Sequence, residues 1–452
     1  MGRDDRLHER TNWRAVMIYL DNHSTTRVAP EVLQAMLPYF TDEYGNAASV
    51  NHAFGTRAAA AAEQARKQVA RLLNCPAEWI VFTSGATESN NLAIKGLVAG
   101  TSARSRRASN SRPPPAPASE GAERTASERG ERTAIPHVVT NAAEHRSVLD
   151  PVRRLERHGL IELTMMPIDR FARVDPQQVA DAIRRNTRLV SVMLANNEVG
   201  TLNPIAEIGR VCRERSVPLH CDAVQAVGKV PVDLNELPVD LLSLSAHKFH
   251  GPKGVGVLVV RRGERRLRLE PLFDGGGHEQ HLRSGTLPVP LVVGLGAACE
   301  LCARTRCASV GLATSDSKPS LALRVSIGTE EMAALRDRLW SRLQSQLDGL
   351  TLNGHPTERL PNNLNISVAG VDGEALMMSL TEIAVSSGSA CSTADPELSH
   401  VLRAMGVPEP LVRASLRFGL SRFTTAAEID AAASEVIAVV RRLRTASQPP
   451  TC

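Results

Sequence analysis

The stretch from Ile80 to Val260 alternates short apolar runs with helix-like segments, and this alternation limits the fold more than any other feature of the sequence. The apolar runs are continuous, which indicates strands buried on both faces. Strands separated by helices require right-handed crossovers, so we predict an α/β fold around a mostly parallel sheet. The predicted strands are 80–83, 137–140, 189–194, 219–221, 241–244 and 256–260, and the helices between them are 88–98, 147–158 and 205–215.

Two irregular segments suggest how the chain is divided. Residues 101–133 are rich in Ser, Arg, Ala, Pro and Glu, without a large apolar residue, and we predict a disordered surface insertion. Its arginines could instead contact an acidic partner. A second irregular stretch is expected at 302–326.

We therefore predict a large α/β domain with a second, smaller domain. The large domain spans 18–265, residues 266–300 return to it and contact a second subunit, and a small α+β domain spans 327–445. The predicted elements of the small domain are helices 331–347 and 427–443 and the strand 363–367. N-terminal helices at 29–40 and 58–73 are expected to pack with this C-terminal part.

The composition excludes several classes of protein. No apolar run approaches the ~20 residues of a membrane helix. The net charge is only +5 and aromatic residues make up 3%, so nucleic-acid binding is not expected. The N-terminus lacks an apolar core and carries Asp4, Asp5 and Glu9, which favours the cytoplasm over export or a mitochondrial presequence. The eight cysteines are taken to indicate neither a zinc ribbon nor a thioredoxin motif, and no metal site is predicted.

A glycine turn at a predicted strand-to-helix junction is the first motif with chemical meaning. It reads TSGATESNN, from Thr83 to Asn91. The backbone amides and the dipole at such a helix start suit a phosphate group, although an ordinary helix cap would look the same.

Two polar residues follow buried strands further along. Asp222 ends one strand, where it could face the cleft and pair with a protonated ring nitrogen or simply cap a helix. Lys248 lies 26 residues later, directly after another strand. Partial burial there favours the neutral amine that a Schiff base needs. The order of phosphate site, carboxylate and amine is what pyridoxal phosphate requires, so we predict this cofactor.

Cys391 lies in the polar, small-residue segment VSSGSACSTA. Such a segment suits a mobile loop that carries an exposed, reactive thiol. A buried structural cysteine is the alternative, and the polar neighbours argue against it.

Together these residues resemble the cysteine desulfurases, in the class V aminotransferase group of fold type I pyridoxal-phosphate enzymes. The resemblance extends from Ile18 to about Leu443. It rests on segments that occur in the order typical of the family: TSGATESNNLAIKG, AEHRSVLD, NNEVG, SAHKFHGPKGVG, GGGHEQHLRSGT and SSGSACS.

The resemblance implies a role for each matching residue. Lys248 would bind the cofactor and move protons, His145 would stack on its ring, and Cys391 would carry a persulfide. The remaining cofactor contacts that it implies are Ala86, Thr87, Asn197, Asp222, Gln225, Ser245 and His247, with Thr286 supplied by the other subunit of a homodimer. The implied substrate contacts are Arg417, for the carboxylate, and Asn46.

The implied reaction takes sulfur from L-cysteine, releases L-alanine and leaves a persulfide on Cys391. A sulfur-acceptor protein would receive it for iron–sulfur cluster, thio-cofactor or tRNA biosynthesis. Ala246 replaces a glycine usual in the family, and the residues after Cys391 differ from those of the iron–sulfur branch.

Three alternatives stay open at this point. The enzyme could be a selenocysteine lyase or another lyase of small amino acids. It could be a sulfur-relay protein without turnover, or an RNA-binding subunit of a modification enzyme. The intact set of Lys248, Asp222, His145, Arg417 and Cys391 argues against the second, and the charge pattern argues against the third.

Overall fold

The structure is a computed structural model that describes residues 17–100, 134–263, 267–309, 328–387 and 398–446. The predicted insertion at 101–133 and Cys391 lie outside these described residues.

The strands, in chain order, are β1 (Ile18–Tyr19), β2 (Ile80–Thr83), β3 (His137–Asn141), β4 (Glu162–Met166), β5 (Thr187–Ser191), β6 (Leu219–Asp222), β7 (Leu241–Ser245), β8 (Gly256–Val260), β9 (Leu350–Asn353), β10 (Asn363–Val368), β11 (Ile383–Ala384), β12 (Ser386–Ser387) and β13 (Ser415–Gly419). The α-helices are Pro30–Met36, Pro38–Thr41, Ala53–Leu73, Ala86–Asn91, Arg146–Arg157, Pro176–Ala182, Ile205–Glu214, Val289–Ser309, Thr329–Gln346, Gly373–Ser379, His400–Ala404, Glu409–Arg413 and Ala426–Ala446. A π-helical segment, Leu92–Gly96, continues the helix Ala86–Asn91.

Seven strands form the central sheet, in the order β2-β8-β7-β6-β5-β3-β4. The neighbours from β7 to β4 pair in parallel, and β8 is antiparallel to both β2 and β7. The prediction of an α/β fold with a mostly parallel sheet is therefore confirmed. The strand expected at 189–194 is β5, which begins and ends earlier, although Val192 and Leu194 continue to bond the backbone of the next strand.

Both faces of this sheet are covered by apolar side chains, as the continuous apolar runs predict. Val81 and Val138 point into the cluster on one face, while their neighbours Phe82 and Val139 point into the cluster on the other. All four are buried, so each strand contributes to two cores at once. Such a sheet leaves only its strand ends accessible for ligands.

The C-terminal part has its own sheet and core. The strands β12-β13-β10-β9 are antiparallel and pack against the helices Thr329–Gln346 and Ala426–Ala446 through a separate apolar cluster. The first strand, β1, pairs in parallel with β11, so the described chain starts in this C-terminal part.

The expected packing of the N-terminal helices is wrong. Helices Pro30–Met36 and Ala53–Leu73 pack on Val289–Ser309 and share the cluster of the central sheet. Glycines permit this close packing, because a Cβ at Gly294 would lie 2.6 Å from the Met36 sulfur and one at Gly296 would lie 2.7 Å from the Ala65 Cα. The same helix extends through residues 302–309, where an irregular stretch was predicted.

The interpretation of the cysteines needs a correction. The spacing C-x-x-C does occur, at Cys299 and Cys302, within the helix Val289–Ser309. Both side chains are buried, and burial raises the pKa of the Cys299 thiol well above its ordinary value, which suits a core residue better than a redox or metal site. Across the described ranges, no helix has the length and apolar character needed to cross a bilayer.

Candidate active site

A cavity of about 650 Å³ opens where the carboxyl ends of the central strands meet the C-terminal part. Its walls contain ten of the thirteen residues predicted for the site: Ala86, Thr87, His145, Asn197, Asp222, Gln225, Ser245, His247, Lys248 and Arg417. These positions are spread over more than 300 residues of sequence, and the sheet topology brings them together.

Lys248 ends a short 3₁₀ turn that follows β7. Its Nζ donates to the backbone oxygens of His23, at 2.6 Å, and Ser24, at 2.8 Å. Burial, and then the charge of Arg417, lowers the pKa of Lys248 to about 8. A large fraction of the amine is therefore neutral, and able to attack a carbonyl, at mildly alkaline pH.

Asp222 ends β6 and is only 5% exposed. Its Oδ1 accepts from the Val224 amide at 3.0 Å, and its Oδ2 accepts from Asn90 Nδ2 at 2.8 Å. Among the described residues, none of the basic side chains approaches this carboxylate within 4.0 Å. A buried carboxylate held by neutral donors can pair with a cationic group of a ligand.

A chain of hydrogen bonds connects Asp222 to His145 through Asn90 and Ser147. Asn90 Nδ2 also donates to Ser147 Oγ at 2.8 Å, and Ser147 Oγ lies 2.7 Å from His145 Nδ1. The Ser147 amide donates to the same Nδ1 at 3.1 Å, so this nitrogen is the acceptor and Nε2 carries the proton of the neutral ring. Burial lowers the pKa of His145, against the pull of Asp222, which favours this neutral form.

A tight turn at one end of the cavity suits an anion. Gly85 precedes the helix start Ala86–Thr87 with a φ of 152°, a conformation that favours glycine. Ser245 and His247 lie in the same wall. The first amides of a helix lack intrahelical acceptors and carry partial positive charge, so this end can bind a phosphate.

Arg417, in β13, lies on another wall of the cavity. Its Nη2 donates to Asp21 Oδ1, Ser24 Oγ and Ser386 Oγ, each at 2.9 Å, and its Nη1 donates to the Asn197 oxygen at 3.0 Å. Its side chain is 12% exposed. The guanidinium is thus fixed in place, which suits recognition of a carboxylate.

Comparisons with known proteins match almost the whole chain. The class V aminotransferase family matches residues 18–106 and 133–432, and the break falls within the predicted insertion. The chain belongs to this family. A cysteine desulfurase, IscS, from Anaeromyxobacter dehalogenans is 49% identical over 95% of this chain and 94% of its own length. The human cysteine desulfurase is 42% identical over 94% of this chain and 82% of its own length.

Solved structures agree with this assignment to the class V aminotransferases. A NifS-like protein is 31% identical, with a TM-score of 0.77, and the match covers 94% of this chain and all of the other. The protein SspA, solved in complex with cysteine, is 32% identical with a TM-score of 0.69, over 90% and 99% of the two chains. The recognition of a cysteine desulfurase of fold type I from the sequence is confirmed.

Two predicted site residues, Thr286 and Asn46, do not line the cavity, and a third, Cys391, lies outside the described residues. Thr286 is exposed and does not line it, so its expected contact with the other subunit stays a prediction. Asn46 is also exposed and uses its Oδ1 to accept from the Ala48 amide at 2.9 Å, so it contacts no part of the cavity of its own chain. Cys391 belongs to residues 388–397, which lie outside the described part of this class V chain.

Both ends of the segment that carries Cys391 are attached at the cavity rim. On one side Ser386 Oγ donates to Asp21 Oδ1 at 2.7 Å. On the other side His400 Nε2 lies 2.9 Å from the Glu144 oxygen, and the Ser399 hydroxyl bonds Glu198. These anchors precede and follow Cys391 by only a few residues.

Several residues that shape the cavity were not predicted as members of the site. They are His23, Ser24, Thr25, Ser84, Glu88, Ser147, Met193, Lys253 and Gly254 in its wall, and Asn90, Glu144 and Lys229 behind it. Asn90 and Glu144 lie within segments that carry the family resemblance, TSGATESNNLAIKG and AEHRSVLD. His23 offered no local signal, because its partner Gln225 is 202 residues away. Lys229 lies four residues after its partner Gln225, but outside the segments that carry the resemblance.

Proposed function

We propose that the protein is a pyridoxal-phosphate-dependent cysteine desulfurase that transfers the sulfur of L-cysteine to Cys391. The observation that carries this proposal is the meeting of Lys248, Asp222 and Arg417 in one cavity, in a chain whose class V relatives are named cysteine desulfurases. An amine, a carboxylate and a guanidinium are the groups that an aldehyde, a ring nitrogen and a substrate carboxylate require.

The charged and hydrogen-bonding groups of the cavity fit the proposed cofactor. The phosphate would bind the amides of Ala86 and Thr87, with Ser245 and His247. Asp222, which has no basic side chain within 4.0 Å among the described residues, would pair with the ring nitrogen. When bound, pyridoxal phosphate withdraws electrons from the α-carbon of an amino acid so that its proton can leave.

The residues of the chain then divide the remaining work. Arg417 would hold the carboxylate of L-cysteine, and Lys248, once free as a neutral amine, would take the α-proton. His145 carries a proton on Nε2 and is fixed through Ser147, so it can donate a hydrogen bond without becoming cationic. Asn90 keeps Asp222 in position for this arrangement.

Sulfur transfer requires the thiolate of Cys391. As its sulfur bonds to the substrate sulfur, the Cβ–S bond of the substrate breaks, and its electron pair stays with carbon. Protonation of that carbon gives alanine, so cysteine and one thiol become alanine and one persulfide. Cys391 follows Ser387 by four residues, so the proposal requires its thiol to meet the substrate within the roughly 13 Å that four extended residues span.

The proposal includes two partners. Thr286 is exposed, so a second copy of the chain could receive it at its phosphate end, as expected for a homodimer. A sulfur-acceptor protein would take the persulfide sulfur from Cys391.

Cysteine-to-serine and lysine-to-alanine variants test this function. The purified protein should be yellow, and Lys248→Ala should lose the colour. Cys391→Ser should keep the colour but release almost no alanine from L-cysteine. Cys75→Ser is the matched control, because burial raises the pKa of that thiol to about 12 and makes it unreactive. Full alanine release by Cys391→Ser would refute the persulfide role, and parallel assays with selenocysteine would separate the two lyase activities.

A further inference from the structure

The side-chain amide of Gln225 is fixed by two buried donors that the proposed reaction does not use. Gln225 Oε1 accepts from Lys229 Nζ at 2.9 Å and faces His23 Nδ1 at 3.0 Å. Gln225 Nε2 donates to the His23 backbone oxygen at 2.9 Å. All three residues are buried, with exposed fractions of 1% to 7%.

These contacts determine which way the amide faces. The backbone oxygen of His23 can only accept, so the atom of Gln225 that faces it must be Nε2, and Oε1 therefore faces Lys229 and His23 Nδ1. The two lone pairs of that oxygen are then occupied by Lys229 and His23. What Gln225 retains for a ligand in the cavity is the second N–H of Nε2.

The protonation of His23 is consistent with this orientation. Burial, and then the charge of Lys229, holds the pKa of His23 well below its ordinary value, so the ring is neutral. Both ring nitrogens face an acceptor, Nδ1 the Oε1 of Gln225 at 3.0 Å and Nε2 the backbone oxygen of Asn362 at 3.3 Å, and the shorter contact assigns the single proton to Nδ1. Burial, and then the charge of Lys248, lowers the pKa of Lys229 to about 7, and the amine can donate in either protonation state.

We propose that His23 and Lys229 form an amide lock that makes Gln225 a hydrogen-bond donor only, directed at the ring oxygen of the bound cofactor. This inference rests on the proposed function. A donor without acceptor capacity favours the deprotonated form of that oxygen over the hydroxyl form. His23 and Lys229 are therefore positioning residues, which act on the cofactor through Gln225.

The variant Lys229→Met tests this proposal through two measurements, the dissociation constant of the cofactor and the visible spectrum of the bound form. The methionine removes the donor but retains the length of the side chain, so the amide of Gln225 can turn. We expect the dissociation constant of pyridoxal phosphate, from titration of the apoprotein, to rise about tenfold. The visible spectrum should gain the shorter-wavelength band of the hydroxyl form. Lys67→Met, a substitution of an exposed lysine, should leave both unchanged.

A double-mutant cycle separates the lock from a general structural effect. If Lys229 acts through Gln225, then Lys229→Met should change little in a Gln225→Leu background. Equal effects in both backgrounds would overturn the proposal, as would an unchanged spectrum and dissociation constant in Lys229→Met. Should Lys229→Met fail to fold, His23→Phe removes the other donor and should shift the spectrum in the same direction, and an unchanged spectrum there would overturn the proposal.

The parent protein distinguishes this result from a failure of the proposed function. A parent chain that binds no pyridoxal phosphate at Lys248 would refute both proposals. If the parent binds pyridoxal phosphate normally and Lys229→Met has the same dissociation constant and visible spectrum as the parent, only the amide lock is refuted.

Discussion

The buried ion pair between Arg66 and Glu279 leads to a prediction about the stability of the central sheet. Glu279 Oε1 accepts from Arg66 Nη2 at 2.7 Å, and Oε2 accepts from Nη1 at 3.0 Å and from the Phe82 amide at 2.7 Å. The Glu279 side chain is 3% exposed. Glu279, Gln280 and His281 have positive φ angles of 47°, 60° and 64°, so the carboxylate ties a strained turn to β2.

Glu279→Ala should be strongly destabilising. It leaves the Phe82 amide without its acceptor and removes the carboxylate from the largely buried Arg66 guanidinium, which keeps only Ile80 and the exposed Glu63 as acceptors. Removing one partner of a buried pair costs about 3–5 kcal/mol. At ~2.1 cal/mol/K of unfolding entropy per residue, a unit of about 250 residues has ~0.5 kcal/mol/K. The melting temperature should therefore fall by about 6–10 °C.

Thermal unfolding of the cofactor-loaded protein, measured by scanning calorimetry, tests this value. Glu63→Ala is the matched control, because Glu63 contacts the same Arg66, at 3.2 Å, but is 49% exposed. Such an exposed pair contributes about 0–1 kcal/mol, a shift of about 2 °C at most. Equal shifts in the two variants would show that burial of Glu279 does not determine the strength of the pair.

Three further predictions concern the cavity and its surroundings. Because the pKa of Lys248 is about 8, the rate at which pyridoxal phosphate loads the apoprotein, followed by absorbance, should rise with pH and level off above that value; a rate that keeps rising as for an ordinary lysine would contradict this. Burial, and then Asp222, raises the pKa of Glu144 to about 8 from 4.5, so the folded state holds a proton that the unfolded state loses. As the pH rises from 4.5 to about 8, the free energy of unfolding of the parent should therefore fall by about 1.4 kcal/mol per pH unit relative to that of Glu144→Gln. A difference between the two proteins that stays constant with pH, measured by thermal unfolding, would refute the raised pKa. Gly256→Ala places a Cβ 2.7 Å from the Gly85 Cα, which should displace the turn at Gly85 and raise the dissociation constant of pyridoxal phosphate about tenfold. Gly263→Ala is the control, because its Cβ meets no atom within 4 Å and should leave that constant unchanged.

The sequence was sufficient to predict the parts of the site that follow buried strands. A continuous apolar run identifies a strand covered on both faces, and the polar residue after it must lie at the edge of the sheet. Asp222 and Lys248 were predicted in this way, and the cavity contains both. The family resemblance added Arg417 and His145, which were not predicted from a position directly after a buried strand.

Contacts between distant segments were not predictable in the same way. The strand β4 is an edge strand with partly exposed side chains, so it lacks the continuous apolar pattern of its neighbours. His23 and Gln225 are 202 residues apart, and no spacing rule connects them. The N-terminal helices have apolar faces that fit either core, and the glycines of the helix Val289–Ser309 determine which one they meet.

The contacts of Arg417 affect how its variants can be interpreted. The guanidinium proposed to recognise L-cysteine also bonds Ser386, five residues before Cys391. A substitution at this position would therefore disturb two events at once, capture of the amino acid and presentation of the thiol that takes its sulfur. Single-turnover measurements that resolve the two events, rather than steady-state rates, are needed to assign the defect.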